Sequence, residues 1–319
     1  MKQTVGMRNG FRFLRSAVAA ILVGVAVNAV VAAQPALHGR ALALTGGGAT
    51  GTAWETGVLL GMQRAGLDVN AADVVIGTSA GSIVGAEMRS GTSLDDLYKA
   101  QTTADASVLA NWAKNVDASY LQATRPLYVT HHSLSQSERA AVGARALAAP
   151  LPSEADWLPN FYRASGIGAL EAWPTKALEI VAVDAANGTV AVFDRTRGVP
   201  LKLAIAASAA VPAFTPPITI GGRRYTDGGV AGTNLLLARG YAMVLAIVPN
   251  PAGGTAADVA TLQAQGARVE MITPDAETKA AMGPNSLDAS RKPASAAAGI
   301  RQGLAAAAEL KGAWLAASR

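Results

Sequence analysis

The run Val74-Val-Ile-Gly77-Thr-Ser79-Ala-Gly81-Ser-Ile-Val-Gly85 constrains this chain more than any other stretch. Its β-branched residues predict a strand, and the residues after the Gly-x-Ser-x-Gly pattern predict a helix. A turn that reverses from strand to helix around a serine is so crowded that only glycine is tolerated on either side. The hydroxyl is thereby lifted clear of the backbone, at the start of the second element. The chain is rich in glycine and alanine, so the pattern alone reads equally as a plain strand-to-helix turn. The rest of the sequence has to decide between the two.

Half of the 319 residues are hydrophobic, enough for one large α/β domain or two small ones. There are no cysteines, which excludes disulfides, thiolate metal sites and a cysteine nucleophile. The net charge of +5 is concentrated at the start: residues 1–33 hold Lys2, Arg8, Arg12 and Arg15 and no acid. The remainder is nearly neutral and has no basic stripe with interleaved aromatics, which argues against nucleic-acid binding.

Residues 1–33 run from that basic start into an apolar stretch that ends in Val31-Ala-Ala33, the layout of a signal peptide. An uncleaved N-terminal anchor is the rival reading. Either one predicts an exported or membrane-associated protein. An over-extended start, with the protein cytoplasmic, is the third reading.

Residues 40–45 predict a short strand that feeds Gly46-Gly47-Gly48-Ala-Thr50-Gly51 and then a helix with Trp54, Val58, Leu59, Met62 and Ala65 on its buried face. Such a loop leaves backbone N–H groups pointing one way, which makes an anion site. Gly46, Gly48 and Gly51 match a dinucleotide fingerprint, but that motif expects an acid closing the second strand. Here the second strand ends in Gly77-Thr-Ser79, and Asp73 opens it. The loop also reads as an oxyanion hole or as a packing turn.

Residues 94–173 hold half of the chain's aromatics and read as a helical region that shapes an apolar substrate cleft or touches a lipid surface. Ordinary helix packing explains the same composition. Within it, residues 94–101, with Thr92 or Ser93 as cap, and residues 133–149 predict helices. His131-His132 has no acid at ligand spacing beside it, Glu138 being the nearest, and makes a poor metal site. Further on, residues 177–184 and 189–194 predict a hairpin around Asn187-Gly188, and residues 201–210 a helix. Residues 242–248 and 267–273 predict two apolar strands. A last helix opens at Pro293, with Ile300, Leu304, Leu310 and Trp314 close to one face. No repeat or long linker interrupts residues 38–319, which read as one α/β domain.

A serine nucleophile needs a base, and the histidines are only His38, His131 and His132. None comes after residue 132, whereas the α/β-hydrolase order places acid and histidine after the serine, so that arrangement is excluded. A carboxylate acting directly on the hydroxyl remains. Asp227, at a strand end before Gly228-Gly229, has the setting; Asp184 and Asp194 are rivals.

The set Gly46-Gly-Gly-Ala-Thr-Gly51, Gly77-Thr-Ser-Ala-Gly81 and Asp227-Gly-Gly229, in that order, resembles the patatin-like phospholipase family. Ser208-Ala-Ala-Val-Pro-Ala-Phe214, Pro216-Pro217 and the Arg223-Arg-Tyr-Thr-Asp-Gly-Gly run are similar to it as well. The resemblance implies a three-layer fold with a central mixed, mostly parallel sheet flanked by helices. It also implies a Ser79–Asp227 dyad, with Gly77, Gly81, Gly228 and Gly229 as motif glycines, and an oxyanion hole from Gly46, Gly47, Gly48 and Gly51. The implied reaction is hydrolysis of lipid acyl esters through an acyl-enzyme, with no cofactor or metal, on a substrate met at a membrane surface. Family members often carry Arg where this chain has Thr50. An acyltransferase or thioesterase with the same dyad is the first alternative. A dinucleotide-binding protein and a catalytically silent lipid-binding protein come from other classes.

Overall fold

Residues 41–44, 74–78, 180–183 and 243–248 are buried at every position. Strands with no solvent face need helices on both sides, the condition of a mostly parallel sheet. The computed structural model describes residues 37–130, 132–251 and 253–317, and it builds that sheet. The expected leader and His131 lie outside the described residues.

In chain order, β1 (Arg40–Leu44), α1 (Gly48–Arg64), β2 (Val74–Thr78) and α2 (Ala80–Arg89) come first. Five helices come next: α3 (Leu94–Thr102), α4 (Ser107–Ala113), α5 (Ala118–Thr124), α6 (Gln136–Leu147) and α7 (Glu154–Ser165). They lead to β3 (Ala177–Asp184), β4 (Val190–Phe193), α8 (Leu201–Ser208), β5 (Ile218–Ile220) and β6 (Arg223–Asp227). The last elements are β7 (Met243–Ile247), α9 (Thr255–Ala264), β8 (Arg268–Ile272), α10 (Ala276–Met282) and α11 (Lys292–Ala316). The strand order is β5-β6-β3-β2-β1-β7-β8, with β4 also paired to β3. From β3 to β8 the neighbours run parallel, whereas β4 and β6 pair antiparallel with β3, and β5 with β6.

Alternation along the strands divides the core into two layers. Leu42 and Leu44 pack with Trp54 of α1 and Val84 of α2, while Ala41 and Ala43 face Leu235 and Leu262 on the other side. The expected helices and hairpin form, with Ser93 capping α3 through the Asp96 N–H and a Ser135–Glu138 capping box starting α6.

Two expectations are corrected where α1 meets α11. Helix α1 is buried over its whole length from Thr50 to Met62, because α11 packs along it with α2 and α3 beside it. The two helices approach so closely that a Cβ on Gly57 or Gly299 would collide with a backbone carbonyl of the other helix, that of Ala296 or Trp54. The buried face of α11 is therefore defined by Gly299, Gly303, Ala307, Leu310 and Trp314. Leu304, one position round from Gly303, is 44% exposed and does not belong to it. Among the described residues no helix is long and apolar enough to cross a membrane.

Candidate active site

Ser79 sits between β2 and α2 at φ 51°, ψ −115°, a conformation that few side chains adopt. Its neighbours impose that turn. A Cβ on Gly77 would lie 2.7 Å from the Ser82 Cα, and one on Gly81 would collide with the Leu44 carbonyl of β1. The strained serine is held by its own backbone: its N–H donates to the Ser208 hydroxyl at 2.8 Å, and its carbonyl accepts from the Ser82 hydroxyl at 2.7 Å. Strain of this kind, of order 1–3 kcal/mol, persists where the surroundings over-determine it.

Strand β3 sets the distance to Asp227. Its Val181 is in register with Thr78, the residue before Ser79, while its next residue, Ala182, is in register with Asp227 on the other side. Ser79 and Asp227 therefore flank one strand at the same level, both only 6% exposed. The Asp227 backbone N–H donates to the Ala210 carbonyl at 2.9 Å, and its carboxylate accepts from the Gly229 N–H at 2.7 Å. Gly228 passes so close to the Val181 carbonyl that no Cβ would fit. Burial pushes the Asp227 carboxyl up to about 6, opposed by hydrogen bonds from the Ser79 side chain and the Gly229 N–H. The charge of Asp227 also reaches Tyr128, whose hydroxyl is raised to about 12, chiefly by burial.

The rival carboxylates are engaged elsewhere. Asp184 accepts from Arg223 at 2.6 Å and from the Ala186 N–H, and Asp194 accepts from the Thr196 N–H and hydroxyl. His38 precedes β1, at the end of that strand opposite the glycine loop, and the exposed His132 lies 3.3 Å from Glu138. Among the described residues no histidine lines the cleft beside Ser79.

The glycine loop lies beside the serine. Its Thr45 carbonyl accepts from the Gly81 N–H at 3.2 Å, and a Cβ on Gly46 would come within 3.5 Å of the Ser79 Cβ. Gly47 is the N-cap of α1, and Gly48, at φ 62°, is its first residue. The expected set of oxyanion donors needs one correction. The Gly51 N–H donates to the Gly47 carbonyl at 2.9 Å, and that of Thr50 to the Ser286 carbonyl at 3.1 Å. Gly51 instead packs against Pro249. The N–H groups of Gly46, Gly47, Gly48 and Ala49 find no acceptor among the described residues, and of these four Gly48 and Ala49 line the cleft with Ser79.

The cleft wall is largely apolar. Leu109 of α4, Trp157 and Phe161 of α7, Ile83 of α2, and Phe214 supply most of it. Trp157 lies between Trp112 and Phe161, tilted against both with ring centroids 4.5 and 5.8 Å away, and the Trp112 indole donates to the Phe214 carbonyl at 2.9 Å. The aromatic region at 94–173 thus both packs as core and shapes the cleft.

For three residues of the site the sequence gives no role. Ser208 braces Ser79 from 129 residues away. Asn234 donates its side-chain amide to the Thr78 hydroxyl at 3.1 Å and to the Gly228 carbonyl at 3.2 Å, joining the two loops that bear Ser79 and Asp227. Lys292 lines the cleft from α11.

A family model described as patatin-like phospholipase matches residues 42–238. Among solved structures, VipD from Legionella pneumophila is similar at 11% identity and a TM-score of 0.39, over 85% of this chain and 67% of that one. The type III effector protein ExoU is similar at 17% identity and a TM-score of 0.38, over 86% of this chain and 54% of that one, so this chain spans about half of its length. None of the curated proteins is similar enough to count as a match.

Proposed function

The chain belongs to the patatin-like phospholipase family, and on that premise we propose that it is a serine acyl hydrolase working through a Ser79–Asp227 dyad. The observation that carries this reading is the placement of two buried side chains, Ser79 and Asp227, at one level on either side of β3, with burial raising the Asp227 carboxyl to about 6. A carboxylate with that pKa is a better base than an ordinary one and is still ionised at neutral pH.

Asp227 takes the hydroxyl proton as the Ser79 Oγ attacks the acyl carbonyl carbon. The oxyanion that forms meets the N–H groups of Gly48 and Ala49, where each well-placed donor is worth about 10²–10³ in rate. The intermediate collapses, the C–O bond to the leaving alcohol breaks, and Asp227 returns the proton to that alcohol. Water then attacks the acyl-enzyme, losing its proton to Asp227. The second tetrahedral intermediate releases the carboxylic acid, and the proton returns to Ser79. The apolar cleft suits an acyl chain beside Ser79, which supports a lipid ester substrate.

A fluorophosphonate probe tests the nucleophile. It is expected to label Ser79 alone, with labelling and turnover of a chromogenic ester both lost in Ser79→Ala. Full turnover by that variant would sink the proposal. Product analysis with and without an added alcohol separates hydrolysis from acyl transfer to another acceptor. Export or membrane association through residues 1–33 belongs to the same reading; mass spectrometry of the protein from its native host, after separation of membrane and soluble fractions, would find the mature N-terminus after Ala33 for a cleaved signal or at Met1 in the membrane fraction for an anchor, and Met1 in the cytoplasmic fraction would count against it.

A further inference from the structure

Lys292 opens α11 and is 6% exposed, an unusual place for an ammonium group. It lines the same cleft as Ser79, Gly48 and Ala49, and no acidic side chain among the described residues lines that cleft. Among the described residues no carboxylate or carbonyl partners it. Burial alone acts on its titration, lowering its pKa to about 8. An unpaired buried cation is costly, and a methionine would fill the same space without that cost, so packing does not account for a lysine here. The start of α1 adds its own positive end: the Gly48 and Ala49 N–H groups are unengaged among the described residues, and the first turn holds no acid. Residue 292 also lies outside the region that the family match covers.

We propose that Lys292 and the first turn of α1 form a subsite for an anionic group carried by the acyl substrate itself, a phosphate ester or a carboxylate near the scissile ester. The aromatic wall takes the chain, and the lysine end of the cleft takes the charge. The cleft then prefers charged acyl lipids to neutral glycerides of equal chain length. The inference rests on the acyl-hydrolase reading only for where the scissile bond lies.

Binding to the Ser79→Ala protein tests it without turnover. Calorimetric titration with dodecyl phosphate, dodecanoate and dodecanol, each below its micellar concentration, is expected to show that the protein binds the anions more tightly than the alcohol. Adding Lys292→Met should weaken binding of the preferred anion about ten- to a hundredfold, the range for losing a charged hydrogen bond, and leave dodecanol unchanged. Lys292→Arg should retain the preference. Tighter binding of the phosphate points to a phosphate-bearing substrate, and tighter binding of dodecanoate to a carboxylate-bearing one. Thermal melting of Lys292→Met, expected at or above its parent, shows that the variant folds. Equal weakening of anion and alcohol, or no change in either, overturns the subsite. A wild-type protein that turns over no ester but keeps the charge preference would overturn the hydrolase reading and leave the subsite standing.

Discussion

The Asn234 side chain donates to the Thr78 hydroxyl at 3.1 Å, fastening the loop after Asp227 to the strand that delivers Ser79. The same amide reaches the Gly228 and Gly232 carbonyls at 3.2 and 3.3 Å, so it spans the turn after β6 as well. Strand β3 fixes the level of the two candidate catalytic residues, and Asn234 fixes the loop on one side of that level to the loop on the other. It is a positioning residue: it touches neither the reacting hydroxyl nor the carboxylate.

Asn234 has a left-handed backbone at φ 58°, so replacing it by alanine would add strain of its own. Asn234→Gly keeps the conformation and removes only the amide. It is expected to lower kcat on a chromogenic ester about tenfold or more with little change in KM, the mark of lost alignment. Unchanged kcat would show that β3 alone holds the dyad in place.

Asp227 gives opposite pH signatures for activity and stability. A base must be ionised, so kcat/KM is expected to be low in acid and to rise with a midpoint near 6, the value to which burial raises this carboxyl. Stability runs the other way. The carboxyl titrates near about 3.9 in the unfolded chain and near 6 when folded, so folding favours its protonated form. Its contribution is complete below about pH 4 and is lost as pH rises through 6. Asp227→Asn, neutral throughout, should therefore be inactive at every pH yet more stable than wild type at pH 8. The gain should be at most about 3 kcal/mol and should vanish near pH 4. Urea denaturation at the two pH values measures it; an Asn variant less stable at pH 8 would mean that the buried carboxylate is well compensated.

How much of the site is legible in the sequence depends on how far each constraint reaches. Gly77 and Gly81 are dictated by the crowding of one turn, so the pattern around Ser79 is visible locally. The same holds for Asp227-Gly-Gly229, where a strand end must pass close to the neighbouring backbone. Ser208 and Asn234 act on partners 129 and 156 residues away, and no local pattern encodes such a contact. Lys292 comes directly after Arg291 at a helix start, and its burial is settled only when α11 docks. Gly51 has the opposite history: a motif position expected to donate to an oxyanion has its N–H inside the helix and its Cα against Pro249. The loop was legible, but its division between donors and packing residues was not.

Strain at Ser79 predicts a trade between activity and stability. Ser79→Ala and Ser79→Gly should both be inactive, but only glycine adopts φ 51° freely. The glycine variant is expected to be more stable than the alanine variant by about 1 kcal/mol, with thermal melting as the measure. Equal stability would show that the turn is relaxed and that the orientation of the serine owes nothing to stored strain.

The contact between α1 and α11 gives the last test, because it separates glycines needed for close approach from glycines that only weaken a helix. Gly299 leaves no room: a Cβ there would collide with the Trp54 carbonyl and lie 2.9 Å from the Val58 nitrogen and 3.0 Å from the Gly57 Cα. Those neighbours are backbone and cannot move aside as a side chain can. Gly312, further along the same helix, has nothing within 4 Å of the same position. Gly299→Ala should therefore push the helices apart and destabilise the protein by about 1–3 kcal/mol. Gly312→Ala should stabilise it by up to about 1 kcal/mol through helix propensity alone. Chemical denaturation of both variants checks the pair, and a destabilising Gly312→Ala would refute the assignment. Separation at Gly299 should also be felt at Lys292, seven residues earlier on α11, so Gly299→Ala is expected to weaken anion binding in the cleft as well as folding.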